Sequence, residues 1–281
     1  MKLGVFIFAT DEAMDPAEVA RTAEDRGFES LWFPEHAHVP TSRQTPYPLA
    51  ADGTLPREYT RIYDPFVALG VAAGATSSIR LGTGICLVTQ RDPIVLAKEV
   101  ATLDRLSGGR FLFGIGAGWL REEMEALGTR FETRWKLTEE RVAAMKKAWT
   151  DDEVEYHGEL VDIPRTWIYP KPAQKPHPPI LLGAASKWAR QRVVDWADGW
   201  LPNFPKPEFI ARGVEDLRQR AKRAGRDPDS ISINVFGAQP EALEEYRRVG
   251  VERVIFRLPH AGAEEVVPEL DRYAKLVRAA A

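Results

Sequence analysis

The feature that most constrains this chain is its rhythm. Eight short apolar runs alternate with stretches of helical periodicity: Leu3–Phe8, Glu29–Phe33, Ile79–Val88, Arg110–Ile115, Pro179–Leu182, Gly199–Pro202, Ile231–Phe236 and Glu252–Leu258. Runs that are apolar nearly throughout, rather than at every second residue, belong to strands covered on both faces. Strands that alternate with helices build a parallel sheet. Eight such units close a (β/α)8 barrel, so the expected fold class is α/β, a TIM barrel with insertions. An open doubly wound sheet is the competing arrangement.

The punctuation between runs is consistent. Asp15-Pro16, Asp64-Pro65 and Asp92-Pro93 each place an N-cap carboxylate before a proline at the first helical position, where the missing N–H has no helical partner to lose. Gly27 and Gly108-Gly109 stop two of these helices. Further helices are expected from Trp119, over Thr138–Trp149 and Ser186–Trp196, through Val214, Leu217, Ala221 and Ala224, over Glu241–Val249, and through Val266, Leu270, Tyr273 and Val277. Two segments interrupt the alternation. Residues 34–63 are polar and proline-rich and read as a lid-like insertion. Residues 151–178 read as an irregular insertion, with a small hairpin over Val154–Val161 turning at Gly158. Tyr169-Pro170-Lys171-Pro172 fits neither a helix interior nor a central strand. Residues 1–281 otherwise read as one barrel domain.

Composition narrows the function. A chain of 281 residues with 44% hydrophobic and 28% charged side chains buries a core without staples. A net charge of −3 and no basic run argue against a nucleic-acid or membrane-surface partner. The single cysteine, Cys86, excludes an intrachain disulfide framework and a multi-cysteine zinc site, and is expected to be a buried small apolar residue. No apolar stretch approaches the roughly 20 residues of a membrane span. Asp11 and Glu12 follow the first apolar run where a signal peptide would carry small residues, so a cytoplasmic protein is expected.

In a barrel the chemistry sits where strands end and βα loops begin. Glu35, His36 and His38 follow the second run. Thr83, Gly84 and Ile85 lie within the third, with Arg91 beyond it. Gly114-x-Gly116-x-Gly118 and Trp119 follow the fourth, and Gly183-Ala184-Ala185-Ser186 the fifth. His36-x-His38 invites a metal reading, as in metal-dependent amidohydrolases, but such a site needs further ligands near other strand ends, where only His260 stands. The glycine triplet is not the dinucleotide fingerprint, because the spacing differs and Arg134 occupies the position expected to be acidic. It is either a close approach to a ligand or a tight strand–helix turn. Gly183–Ser186 leads small residues into a helix N-terminus, which suits a phosphate. Of the eight tryptophans, Trp119 is the one expected in a pocket.

The whole chain resembles the luciferase-like monooxygenase superfamily, and within it the branch of oxidoreductases dependent on the deazaflavin coenzyme F420. The stretches that carry the resemblance are Gly27–His36, Ile79–Gly84, Arg91-Asp92-Pro93 with Ala97–Asp104, Ser107–Arg110 with Gly118-Trp119, and Ala197–Trp200. The resemblance implies a flavin-type ring in the barrel mouth and a non-proline cis peptide in the third strand, at Gly84–Ile85. It implies His36 as the active-site histidine, with Glu35 beside it where Asp is common. Thr83, Gly84, Ile85, Arg91, Gly116, Gly118 and Trp119 would hold the cofactor ring side, and Gly183, Ala184, Ala185 and Ser186 the cofactor phosphate. Trp119 stands where sugar-phosphate dehydrogenases of the family carry a Glu, which argues against glucose-6-phosphate. The expected activity is hydride transfer between F420 and a small organic substrate, by a homodimer. An FMN-dependent monooxygenase is the alternative, and a non-catalytic flavin-binding barrel a third reading.

Overall fold

The structure, a computed structural model, describes residues 1–280. The chain runs β1 (Lys2–Phe6), α1 (Pro16–Asp25), β2 (Ser30–Phe33), α2 (Pro65–Ala75), β3 (Arg80–Thr83), β4 (Cys86–Leu87), α3 (Pro93–Leu106), β5 (Phe111–Gly116), α4 (Arg121–Ala126), α5 (Arg134–Thr150), β6 (Val154–His157), β7 (Asp162–Thr166), β8 (Ile180–Leu182), α6 (Lys187–Trp196), β9 (Gly199–Trp200), α7 (Pro207–Arg223), β10 (Ser232–Phe236), α8 (Leu243–Val249), β11 (Arg253–Arg257) and α9 (Ala263–Ala280). Parallel pairing runs β1–β2–β3–β5–β8–β9–β10–β11 and returns to β1, so the sheet closes into a (β/α)8 barrel. Among the described residues no helix is long and apolar enough to cross a membrane.

The caps form as the Asp-Pro pairs require. Asp15 accepts from the Ala17 and Glu18 N–H groups, Asp64 from Val67, and Asp92 from Ile94 and Val95. Each satisfies donors that the first helical turn leaves unpaired.

Four expectations need adjustment. The expected run Ile79–Val88 is one barrel strand in two pieces: the Gly84–Ile85 peptide is cis, β3 ends before it, and β4 resumes the ladder at Cys86↔Ile115 and Leu87↔Gly116. The helix expected from Trp119 is the short α4, because Gly118 at φ +81° still belongs to the turn. The helix expected from Thr138 starts at Arg134, whose guanidinium covers the Phe131 ring at 3.7 Å and donates to the Phe131 carbonyl. The hairpin is longer than Val154–Val161, since β7 reaches Thr166. Pro164 hid that strand, yet a two-stranded ribbon tolerates a proline on its unpaired side. Glu140 anchors the turn by accepting from the Leu160 and Val161 N–H groups.

Strand alternation sorts side chains into two cores. Val5, Leu31, Leu81, Phe111 and Phe113 point out against the helices. Phe6, Phe8, Trp32, Leu112, Leu181, Leu201 and Ile255 fill the barrel interior. Trp32 is the largest of these, fully buried, with its indole N–H donated to Ser30 Oγ at 2.9 Å. Gly82 faces that indole: a Cβ there would stand 2.2 Å from Trp32 Cε3. Arg253 closes the opposite end from the strand C-termini, donating to both Glu29 carboxylate oxygens at 2.6 and 2.7 Å and to Asn234 at 2.5 Å. Burial raises the Glu29 pKa, but facing Arg253 outweighs it and holds the carboxyl below its ordinary range.

Gly82→Ala is expected to destabilise the protein by about 1–3 kcal/mol, because a rigid indole and backbone must shift to admit one methyl group. Urea denaturation measures it; a variant as stable as the wild type refutes the packing account.

Candidate active site

All eight barrel strands send residues to one cavity of about 420 Å³ at their C-terminal ends. Phe6 and Phe8 come from the first strand and its extension, and Pro34, Glu35 and His36 follow the second. Gly84, Ile85 and Leu87 come from the third, Gly116–Trp119 from the fourth, Gly183 and Ala184 from the fifth. Leu201, Asn203, Phe236, Gly237 and Arg257 complete the ring, with Trp135 of α5 and three further residues of the 34–63 segment, Tyr47, Leu49 and Tyr59. Part of the lining is bare backbone for a steric reason. A Cβ on Gly84 would lie 2.4 Å from Phe236, and one on Gly116 would lie 2.0 Å from Ile85.

His36 is the best-placed proton carrier in this cavity. Its Nδ1 lies 2.8 Å from Glu123 Oε2, and the second oxygen of Glu123 accepts the Ala37 N–H at 3.0 Å. Both side chains are almost fully buried. With Nδ1–H donated to Glu123, the neutral ring keeps its lone pair on Nε2. A carboxylate that fixes the tautomer and orientation of a histidine is the arrangement general acid–base chemistry needs. Glu123 went unnoticed in the sequence because it sits in the first turn of α4, where a Glu is an ordinary helix-dipole residue. The acidic pair Glu122-Glu123 directly after the glycine turn is the signal that was available.

The other sequence-derived candidates divide. Glu35, Gly84, Ile85, Gly116, Gly118, Trp119, Gly183 and Ala184 line the cavity with His36, Thr83 and Arg91 stand behind the lining, and the half-buried Ala185 and exposed Ser186 lie beyond it at the start of α6. The buried Glu35 carboxylate accepts the Leu87 N–H at 2.5 Å and the Arg91 Nε–H at 2.7 Å. Arg91 also pairs with Asp64 and, at 3.1 Å, with Glu99, and its guanidinium lies 4.9 Å from the Phe66 ring centroid. Burial works against the Arg91 charge, but the facing Glu35 outweighs it and raises its pKa. Thr83 Oγ1 donates to the Gly114 carbonyl at 2.7 Å. Ser186 caps α6 by accepting from Ala189, and the Ala185 carbonyl accepts from Arg190. Ala184, at φ +142°, takes a hydrogen bond on its carbonyl from Trp200 at 2.8 Å.

Three other histidines stand apart. His260 Nε2 meets Thr10 Oγ1 at 2.7 Å, His157 lies exposed between Glu155 and Asp162, and His38 is half-buried outside the lining. Among the described residues no group of three or more His, Cys, Asp or Glu side chains is placed to hold a metal ion. Cys86 is fully buried, and burial pushes its thiol pKa well up.

The 34–63 segment covers the cavity with aromatic side chains that sequence periodicity could not pick out. Tyr59 packs on Phe8 at 4.8 Å and on His36 at 5.3 Å. The segment is held by carboxylates. Glu122 accepts the Gln44 and Thr45 N–H groups at 2.7 and 3.0 Å. Glu12 and Asp11 pair with Arg57 and Arg61. Burial alone would raise the Glu122 pKa, but hydrogen bonds from the Gln44 N–H, its own backbone N–H, and the Thr45 side chain and N–H bring it from 4.5 to about 2.

That lowered pKa fixes the sign of a pH dependence. The tether is complete above pH 4.5 and is lost as pH falls through about 2. Amide-exchange protection at Gln44 and Thr45 is expected to fall across that window. At neutral pH, Glu122→Ala is expected to speed tryptic cleavage after Arg43 roughly tenfold, the effect of losing about 1–1.5 kcal/mol. Unchanged cleavage would show that the segment is held elsewhere.

A barrel whose strand ends converge on an aromatic cavity with a bare-backbone lining and a carboxylate-held histidine is an enzyme of the TIM-barrel class. The sequence model of the family "Luciferase-like monooxygenase" matches residues 1–265, and the chain belongs to that family. It is 38% identical over 282 residues, 98% of each chain, to an uncharacterized protein of Mycobacterium tuberculosis. It is 32% identical over 172 residues to an FMNH2-dependent dimethylsulfone monooxygenase of Pseudomonas putida, covering 60% of this chain and 47% of that one. Its fold superimposes on an F420-dependent secondary alcohol dehydrogenase, solved with an F420-acetone adduct, with a TM-score of 0.78 at 18% identity over 98% of both chains.

Proposed function

We propose that this luciferase-like oxidoreductase transfers a hydride between the deazaflavin coenzyme F420 and a small organic substrate. The observation that carries the reading is His36, pinned by Glu123 and facing a cavity lined partly by bare backbone. Hydride transfer to or from a carbon bearing oxygen needs a proton partner at that oxygen, and a histidine with one fixed nitrogen supplies it. Resemblance to the F420 branch at Arg91-Asp92-Pro93 and Gly118-Trp119 favours the deazaflavin.

The residues present fit such a cofactor. Gly84, Ile85, Gly116, Gly118, Trp119, Gly183 and Ala184 offer a ring the flat, close-approach lining it requires. Ala185, Ser186 and the N-terminus of α6 would receive the phosphate, while Thr83 and Arg91 brace the lining from behind. When bound, the deazaflavin supplies a ring carbon that exchanges hydride. His36 gives or takes the proton at Nε2. Glu123 holds the imidazole in the required tautomer, and Glu35, tied to Leu87 and Arg91, fixes the backbone from which His36 projects. The 34–63 segment acts as a lid that keeps water from the reacting atoms.

The second reading is an FMN-dependent monooxygenase, favoured by the similarity to the Pseudomonas putida enzyme. Titration of the purified protein with each cofactor separates the two. The proposal expects tighter binding of F420 than of FMN; micromolar FMN binding with none for F420 overturns it. His36→Ala should keep fold and cofactor affinity and lower hydride transfer by roughly 10²–10⁴-fold.

The homodimer is part of the same proposal. Helix α2 has no charged or polar side chain, and its outward residues Val67, Gly70, Val71 and Gly74 form an uncharged stripe beside the exposed Ile94 and Val95 of α3. Such a face suits a self-complementary two-fold contact. Light scattering is expected to give a dimer for the wild type and a monomer for Val67→Glu/Val71→Glu. A monomeric wild type, or a dimeric double variant, refutes this use of the face.

A further inference from the structure

Four rings at the cavity form a closed circuit. His36 lies 5.3 Å from Tyr59, Tyr59 lies 5.0 Å from Tyr47, Tyr47 lies 5.7 Å from Trp119, and Trp119 lies 5.8 Å from His36, centroid to centroid. His36 and Trp119 follow strand ends, Tyr47 and Tyr59 lie further along the 34–63 segment, and all four line the cavity. The Tyr47 and Tyr59 hydroxyls are 2.8 Å apart. Burial, and then the Tyr47 hydroxyl, push the Tyr59 phenol pKa upward, so it stays a neutral donor. Two hydroxyls bonded to each other spend one proton between them. The other proton is left to donate to a third oxygen.

The surrounding charges are already matched. Arg257 is paired with Glu58 at 2.7 Å, Glu35 with Arg91, and Glu123 with His36. Most of the remaining side chains on the wall are apolar, Phe6, Phe8, Leu49, Leu201 and Phe236 among them, and Asn203 is uncharged. An ionic substrate would find no unpaired counter-charge here, and its desolvation would go uncompensated. A neutral substrate with an apolar or unsaturated body loses little on entering, and aromatic walls hold flat surfaces well.

Resting on the reading of this cavity as the substrate site, we propose that the Tyr47–Tyr59 hydroxyl pair is a specificity-determining donor beside His36. The substrate class it selects is an uncharged, aromatic or unsaturated compound carrying one carbonyl oxygen. That oxygen accepts the free proton of the pair, and the body of the molecule lies within the four-ring circuit. Because the two hydroxyls share their protons, either alone can serve. Tyr47→Phe leaves Tyr59 free to donate, and Tyr59→Phe leaves Tyr47. Only the double variant removes both hydroxyls of the pair.

The test is binding of acetophenone against ethylbenzene, which has a similar shape and no oxygen, read by quenching of tryptophan fluorescence with Trp119 and Trp135 as cavity reporters. Wild type and both single variants are expected to prefer acetophenone by roughly fivefold to tenfold, the worth of one neutral hydrogen bond. Tyr47→Phe/Tyr59→Phe is expected to bind the two equally, with its fold checked by circular dichroism. Equal binding by the wild type overturns the proposal, as does a preference that survives in the double variant. The cofactor titration is independent. If neither F420 nor FMN binds, the proposed activity falls while discrimination by the pair still stands or falls on its own result.

Discussion

The Glu35 carboxylate is the contact on which the mouth of the barrel depends. It is buried, and it joins pieces of chain that are far apart in sequence. It lies two residues beyond the end of β2, one of its oxygens accepts from Leu87 on β4, and its ion pair with Arg91 extends to Asp64 at the cap of α2 and Glu99 on α3. Removing one partner of such a buried pair leaves an uncompensated charge, which costs about 3–5 kcal/mol. The arrangement is therefore self-enforcing. β4 resumes the ladder after Gly84–Ile85 with its Leu87 N–H donated to that carboxylate. His36, the next residue after Glu35, inherits its position from that knot.

The two ends of the barrel use charge differently. At the end opposite the cavity, Arg253, Glu29 and Asn234 satisfy one another and leave nothing for a ligand. The barrel interior above them is filled by Trp32 and its hydrophobic neighbours. At the strand C-termini the polar groups are also paired, but selectively: Glu123 occupies one nitrogen of His36, and the tyrosine hydroxyls occupy one proton of two. What remains free there is a small set of donors and acceptors facing an aromatic cavity. Rigid pairing behind a reactive group is what holds it within a fraction of an ångström of a productive geometry.

Much of the fold was legible because it rests on periodicity and local capping. The eight apolar runs and the Asp-Pro starts each follow from contacts within a few residues, and the barrel confirmed them nearly to the residue. The Gly84–Ile85 break came from resemblance, since no local pattern distinguishes it from a continuous strand. β7 was obscured by Pro164, whose usual meaning holds for central strands and not for a two-stranded ribbon. The site was legible where it falls on strand ends, as with His36, Gly116, Trp119 and Gly183. Glu123, Tyr47 and Tyr59 were not, because their roles arise from long-range contacts: a helix carboxylate reaching back across 86 residues to Ala37, and two rings delivered by an aperiodic loop.

Trp119 and Glu123 together constrain how protons move at this cavity. Trp119 lines the cavity, and an acid, Glu123, stands four residues later, about one helical turn on. Glu123, however, is turned away from the cavity. Both of its oxygens are occupied, one by the His36 ring and one by the Ala37 N–H. It cannot reach a substrate without abandoning a buried donor, at a cost of about 1–3 kcal/mol. Glu35 is committed in the same way to Leu87 and Arg91. Among the described residues the carboxylates near the cavity, Glu35 and Glu123, are both committed to other partners, and the one imidazole on the lining is held by Glu123. In the proposed reaction, proton exchange with a bound oxygen would therefore run through His36 Nε2, the ring nitrogen that Glu123 leaves unoccupied.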